Sequence, residues 1–195
     1  MIAIIDYGAG NTASVANALS EITSDVIITK REIDICKADK IILPGVGEAS
    51  SAMRQLSLSN ITNLLRVLKK PLLGICLGAQ LLCTKSEEGN VPCIGIFPMN
   101  VERFKSDDIT IPHMGWNQVS ISKREKLFDG IPDNENFYFA HSYFIPQSEF
   151  STSRCTYGID FAASIEKNNF YGVQFHPEKS GEAGLRVLRN FIELC

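Results

Sequence analysis

Residues Lys70–Lys85, KPLLGICLGAQLLCTK, decide how the rest of the chain is read. Pro71–Ile75 is a short apolar run opened by proline. It suits a buried strand, although periodicity alone does not separate a run this short from buried helix. Leu77, Leu81 and Leu82 then fall at i, i+4 and i+5, one buried face of a helix. Cys76 sits at the junction, in Gly74-Ile75-Cys76-Leu77-Gly78. That is the spacing of a nucleophile elbow with cysteine in place of serine. A sharp strand-to-helix turn strains the backbone at the nucleophile, and small neighbours let the chain fold back on itself. A helix N-terminus beside the sulfur would favour thiolate. The competing reading is a buried structural cysteine, and the choice rests on a partner histidine.

Outward from this stretch, the N-terminal half alternates short apolar runs with helical patterns. Strands are expected at Met1–Ile5, Val26–Thr29, Lys40–Leu43 and Pro71–Ile75. Helices are expected from near Thr12 to Ile22, from Ala49 to Leu56, from Ile61 to Leu68 and after the elbow. This order predicts a mostly parallel central sheet flanked by helices, an α/β fold. After Ser86 helical periodicity weakens. Strand-like runs follow at Ile94–Phe97, Val101–Phe104, Trp116–Ile121, Phe137–Phe144, Cys155–Tyr157, Phe161–Ile165 and Phe170–Gln174, with a short helical turn at Glu125–Phe128. They predict additional, largely antiparallel strands packed beside the parallel sheet. A last helix starts at Gly181, with Leu185, Leu188, Phe191 and Ile192 on one face. No linker or repeat interrupts residues 1–195, which are read as a single domain.

The composition excludes several classes. Lys+Arg 19 against Asp+Glu 22 gives a net charge of −3, so no basic field recruits nucleic acid or an anionic membrane. The start, MIAIIDYG, carries a short apolar run of strand length with no basic segment before it. It reads as neither signal peptide nor membrane span. Six cysteines (36, 76, 83, 93, 155, 195) show no C-x-x-C spacing and no zinc pattern. They are expected to be reduced thiols of a cytoplasmic protein.

Cysteine catalysis needs a base for the thiol proton and a group that orients the base. The sequence has 3 histidines: His113, His141 and His176. His176 ends the run Phe170–Phe175, where parallel sheets put their sites. Glu178 lies two residues on, across Pro177, which stiffens the segment. Alone, His-Pro-Glu is an ordinary surface turn. With Cys76 it becomes a candidate Cys–His–Glu triad. An oxyanion would need backbone donors. Leu77 N–H and the glycine-rich Pro44-Gly45-Val46-Gly47 offer them, the latter being otherwise a plain strand-to-helix loop. Gly8-Ala9-Gly10-Asn11-Thr12-Ala13 formally matches a dinucleotide fingerprint. The acidic residue NAD requires is missing, since Lys30-Arg31 follows the second strand, although NADP would tolerate that basic pair. No cofactor is expected. His113 and His141 are too isolated for a metal site, and no metal is expected. His141, among the aromatics of Tyr138–Tyr143, is either core or a pocket wall.

Taken together, Gly74–Gln80 and Gly172–Glu178 resemble the triad (class I) glutamine amidotransferases. Further stretches resemble the glutaminase subunits of imidazole glycerol phosphate synthase within that family. They are Asp6–Asn11, Pro44–Gly47, Pro112–Asn117, Tyr138–Tyr143 and His176–Ser180, so the likeness spans nearly the whole chain. Ala79 departs from the family's commoner methionine, and Thr12-Ala13 differs after Asn11. The resemblance implies that Cys76 attacks the side-chain amide of glutamine, that His176 shuttles protons and that Glu178 orients it. It implies a glutamine pocket at Gln80 and Glu88, with backbone around Gly45, Val46, Gly47, His141 and Ser142. It implies ammonia transfer to a cyclase subunit, a (β/α)8 barrel forming a heterodimer with this chain in histidine biosynthesis. Asn11, Tyr138 and Lys179 would face that barrel. The alternatives are a stand-alone cysteine hydrolase, a glutaminase serving another synthase such as a sugar amidotransferase, or a non-enzymatic nucleotide-binding or scaffold domain.

Overall fold

In the computed structural model residues 1–8, 10–105, 108–124 and 126–195 are described. The N-terminal half runs β1 (Ile2–Ile5), α1 (Thr12–Ser20), β2 (Val26–Thr29), α2 (Glu32–Lys37), β3 (Lys40–Leu43), α3 (Ala49–Leu58), α4 (Ile61–Arg66), β4 (Leu72–Ile75) and α5 (Leu77–Leu81). The rest is mostly strand: β5 (Cys83–Ser86), β6 (Val91–Pro92), β7 (Phe97–Arg103), β8 (His113–Ile121), β9 (Glu135–His141), β10 (Tyr143–Phe144), β11 (Ser151–Tyr157), β12 (Ile159–Lys167) and β13 (Phe170–Val173). The helix α6 (Gly181–Leu194) closes it. Short 3-10 turns occupy Glu88–Asn90, Lys126–Phe128 and Pro177–Lys179.

One nine-stranded sheet has the order β2-β1-β3-β4-β13-β12-β11-β8-β9. Its first five strands run parallel, and from β13 to β9 every pairing is antiparallel. The expected antiparallel strands are therefore mostly a continuation of the same sheet. Among the described residues only a small second sheet, β10-β7-β5-β6, stands apart. β1, β4 and β13 are buried at every position, as expected of strands covered on both faces. On one face Val15 and Leu19 of α1 and Val187, Leu188 and Phe191 of α6 join a core with Phe137, Phe139 and Phe175. On the other, Ile35, Leu56, Leu65 and Leu81 pack against Ile41, Leu43 and Leu72. Burying a side chain of this size is worth about 1.5–3 kcal/mol.

Several expected boundaries shift. α1 ends at Ser20 rather than Ile22. The helix after the elbow is only 5 residues long, because Cys83 already begins β5. The run expected at Ile94–Phe97 is not a strand except at Phe97, which opens β7. Phe137–Phe144 is broken at Ser142, where the chain leaves the large sheet and enters the small one. The turn expected at Glu125–Phe128 is a 3-10 turn over Lys126–Phe128, and Glu125 lies outside the described residues.

The pairing of β4 with β13 fixes the place of the site. Gly172 is opposite Gly74 and Val173 opposite Ile75 in a parallel register. Cys76, one residue past β4, and His176, three residues past β13, therefore emerge at the same edge, the carboxyl end of a parallel sheet.

Candidate active site

The turn at Cys76 is strained. Its backbone holds φ 52° and ψ −111°, a positive-φ conformation that costs a non-glycine residue about 1–3 kcal/mol. Hydrogen bonds hold it there: Cys76 N–H donates to Val173 O at 2.8 Å, and the Cys76 carbonyl accepts from Ala79 N (3.0 Å) and Gln80 N (3.2 Å). The flanking glycines are steric requirements. A Cβ on Gly74 would lie 2.7 Å from the Ala79 backbone, and one on Gly78 would lie 1.8 Å from Leu43 O. A helix of 5 residues sums few peptide dipoles, so an anion beside it would draw its stabilisation mainly from a neighbouring cation.

That cation is available in His176. Its Nδ1 is 2.8 Å from Glu178 Oε1, and the two side chains are 5 and 2% exposed. The Cys76 sulfur acts on the same ring. Burial works against a charge on the imidazole. The Cys76 sulfur, as opposing charge and hydrogen-bond partner, and then Glu178 outweigh burial and push it up to about 10. A Glu178 carboxylate on Nδ1 leaves Nε2 as the nitrogen free to exchange a proton with the sulfur.

The sulfur and imidazole open onto a cavity of about 220 Å³, lined also by Val46, Gly47, Leu77, Gln80, Glu88, Ala140, His141, Ser142, Tyr143 and Lys179. Three sequence-predicted positions support the cavity without lining it. Gly45 packs so closely on the elbow that a Cβ would meet Gly78 N at 2.6 Å and Leu77 Cβ at 2.8 Å. Glu178 stands behind His176. Tyr138 lies beside it, its ring 6.5 Å from the imidazole and under Lys179 Nζ at 5.6 Å. Asn11 caps α1, accepting from Ser14 N at 3.2 Å. Glu88 accepts from Ala49 N–H at 2.8 Å, at the start of α3. Burial raises its carboxyl above the usual range, against the pull of that N–H. His141 is both core and pocket wall. Among the described residues no group of three or more His, Cys, Asp and Glu is arranged to hold a metal ion. No helix among them is long and apolar enough to cross a membrane.

Other residues at the site escaped the sequence reading. Gln174 donates to the Cys76 sulfur at 3.8 Å and accepts from Gln80 Nε2 at 2.9 Å. Ala140 O lies 3.8 Å from the same sulfur. Tyr7 donates to Pro44 O at 2.8 Å, tying the 44–47 loop down. Ser180 Oγ donates to His176 O at 2.7 Å and accepts from Tyr138 N at 3.0 Å. Gln174 carries the one usable signal: two residues before His176 in the run expected to be extended, it would face the same side.

Comparison with known proteins agrees with this geometry. The chain is 47% identical over 195 residues to the imidazole glycerol phosphate synthase subunit HisH of Bacteroides fragilis, covering 99% of both chains. It is 46% identical over 194 residues to the HisH subunit of Buchnera aphidicola from Acyrthosiphon pisum, again covering 99% of both. Among solved structures it superposes on a glutamine amidotransferase with a TM-score of 0.77 at 17% identity, covering 100% of this chain and 98% of that one. On PurLQS from Thermotoga maritima the TM-score is 0.73 at 17% identity, covering 98% and 96%. These two likenesses show the shared fold. With the glutamine amidotransferase class-I family matched over residues 3–194 and HisH subunits as full-length relatives, the chain belongs to the class-I glutamine amidotransferase family.

Proposed function

We propose that residues 1–195 form one glutaminase domain, the subunit of a cytoplasmic imidazole glycerol phosphate synthase that hydrolyses glutamine to glutamate and ammonia. The supporting observation is that Cys76 and His176, with Glu178 behind the ring, share one cavity with Gln80, Glu88 and two backbone segments, 46–47 and 140–143. The Cys76 thiolate attacks the side-chain amide carbon. Leu77 N–H, the first amide of α5, has no partner within its helix. Together with an N–H of the 45–47 loop it meets the oxyanion. Collapse expels ammonia, which takes its extra proton from His176. The thioester that remains is hydrolysed by water whose proton goes back to His176, and glutamate leaves. Glu88 and the 141–142 backbone hold the α-ammonium and carboxylate of the substrate.

The ammonia passes to a cyclase subunit, a (β/α)8 barrel. There it helps convert a phosphorylated ribulosyl intermediate into imidazole glycerol phosphate and AICAR. The relatives named HisH favour this pathway over a sugar amidotransferase. A docking face is available beside the triad, where Met114 and Trp116 are 65 and 58% exposed. Trp116 is the register partner of Tyr138 and packs edge-on to its ring at 6.2 Å.

The test is reconstitution with the cyclase subunit, its nucleotide substrate and glutamine. One glutamate should appear for each imidazole glycerol phosphate. Cys76→Ala should abolish synthesis from glutamine and leave synthesis from ammonium salts intact. Glutamate without imidazole glycerol phosphate would point to another synthase, and glutamine-driven synthesis by Cys76→Ala would refute the mechanism.

A further inference from the structure

His113 and His141 are register partners across β8 and β9, both buried, at 3 and 6% exposure, and neither belongs to the triad. Their protons follow from their partners. His141 Nδ1 is 2.7 Å from Tyr143 O, which only accepts, so Nδ1 carries the hydrogen. Burial pushes His141 down to about 3 and His113 to about 4, so both rings are neutral near pH 7. His141 Nε2 is then an acceptor, and His113 Nδ1, 3.0 Å away, donates to it. His113 Nε2 accepts in turn from Asn117 Nδ2 at 3.3 Å. The orientation of Asn117 is fixed independently. Its Nδ2 donates to Thr156 O at 3.1 Å and its Oδ1 accepts from Gln118 N at 2.8 Å. The His113 ring plane is fixed as well, stacked between Tyr157 (4.0 Å) and Phe139 (4.8 Å).

The chain of bonds continues to the reacting sulfur. The same Tyr143 carbonyl accepts from Gln80 Nε2 at 2.7 Å. Gln80 Nε2 also donates to Gln174 Oε1, and Gln174 Nε2 donates to Cys76 Sγ. The Tyr143 carbonyl sits at the crossing between the sheets: β9 ends at His141, β10 starts at Tyr143 in the other sheet, and Phe104 N–H holds the intervening Ser142 carbonyl at 3.2 Å.

We infer that the His113–His141 pair is a positioning device for the glutamine subsite: its fixed tautomers hold the Tyr143 carbonyl, and through it the Gln80 amide, against the substrate. The inference rests on the glutaminase reading. A side-chain hydrogen bond of ordinary strength is worth about 1 kcal/mol, more when its loss strands a buried partner. Removing the His141 donor should therefore raise KM for glutamine roughly tenfold.

The experiment uses the full chain with its cyclase subunit. In 15N-labelled wild type at pH 7, His113 and His141 should both carry their proton on Nδ1, and an active complex with His141 protonated on Nε2 overturns the pair's role. His141→Phe should raise KM about tenfold and change kcat less than about threefold. His141→Asn, whose Nδ2 takes the place of Nδ1, should recover most of the loss. Unchanged KM in His141→Phe, or an asparagine no better than phenylalanine, overturns the inference. Should His141→Phe fail to fold, His113→Phe and the tautomers decide: it removes the donor that fixes His141 and should raise KM by a smaller factor. A wild-type complex that does not hydrolyse glutamine would instead defeat the glutaminase reading itself.

Discussion

The backbone N–H of His176 donates to the carbonyl of Tyr138 at 2.8 Å. The proposed base is thus bonded to β9, whose Tyr138 stands beside the exposed Met114–Trp116 face. Lys179, with its ammonium over the Tyr138 ring, forms a second link between that face and the segment after the triad. A partner that docks here touches the elements that hold the base. The isolated chain is expected to be a weak glutaminase, with a large rise when the cyclase subunit and its nucleotide ligand are added. A hundredfold rise needs only about 2.7 kcal/mol of bias between idle and competent states. Lys179→Ala should cut that rise and leave the basal rate within about threefold, because it touches the coupling and not the reacting atoms. Equal rates with and without the partner would end the coupling idea.

The strain at Cys76 makes a stability prediction that runs against ordinary side-chain preference. Replacing alanine by glycine usually weakens a protein. At this position φ is 52°, which glycine adopts freely. Cys76→Gly should therefore be more stable than Cys76→Ala by about 1 kcal/mol, with both devoid of glutaminase activity. Urea titration of the two variants measures the difference. A less stable glycine variant would show that the elbow is not strained in solution.

Much of this was legible because it is local. Buried parallel strands are continuous apolar runs, and β1, β3 and β4 read as such. The elbow and His176-Pro177-Glu178 are short spacings, and the register of β4 against β13 brings them together. What stayed hidden depends on distant contacts or on marginal patterns. α2 is 6 residues long and buries Ile35 alone, too little to show a periodicity. β5 was masked by Leu81 and Leu82, which continue the helical repeat right up to Cys83. The bonds from Gln80 to Gln174, from Tyr7 to Pro44 and from Ala140 to Cys76 span 94, 37 and 64 residues, and no motif spacing encodes them.

Glu88 separates binding from folding. As glutamine, residue 88 can still accept the Ala49 N–H, so Glu88→Gln should change stability by less than about 1 kcal/mol. It can no longer meet an α-ammonium with full charge. KM for glutamine should rise about tenfold or more, with kcat affected far less. A variant with wild-type KM would remove Glu88 from the substrate pocket.

Within the triad the losses should be unequal. His176→Asn should cost about as much activity as loss of Cys76, since the two act as a unit. Glu178→Gln should cost less, about 10–100-fold, because it keeps a side chain on Nδ1 and loses only the charge that orients and supports the imidazolium. Greater damage from His113→Phe than from His176→Asn would overturn the assignment of the base.

The last prediction concerns pH, and the three histidines pull in opposite directions. Folding holds His113 and His141 neutral, at about 4 and 3. His113 faces the Tyr157 ring and His141 across the strand pair, and His141 faces His113 and His176. Below about pH 6.5 an unfolded histidine takes a proton that these two cannot, so stability falls as the pH drops toward 4. The loss is on the order of 2–3 kcal/mol for each. His176 is shifted the other way, to about 10. Its contribution is complete below about pH 6.5 and fades as the pH rises through 10. Wild type should therefore be most stable near pH 6.5, falling off on both sides. His141→Phe should roughly halve the acid limb, because His113 keeps its share, and leave the basic one. Cys76→Ala, which removes the sulfur that holds the imidazolium, should flatten the basic limb and leave the acid one. Urea midpoints from pH 4 to 10 for the three proteins decide it, and parallel profiles would mean that neither His141 nor His176 titrates abnormally.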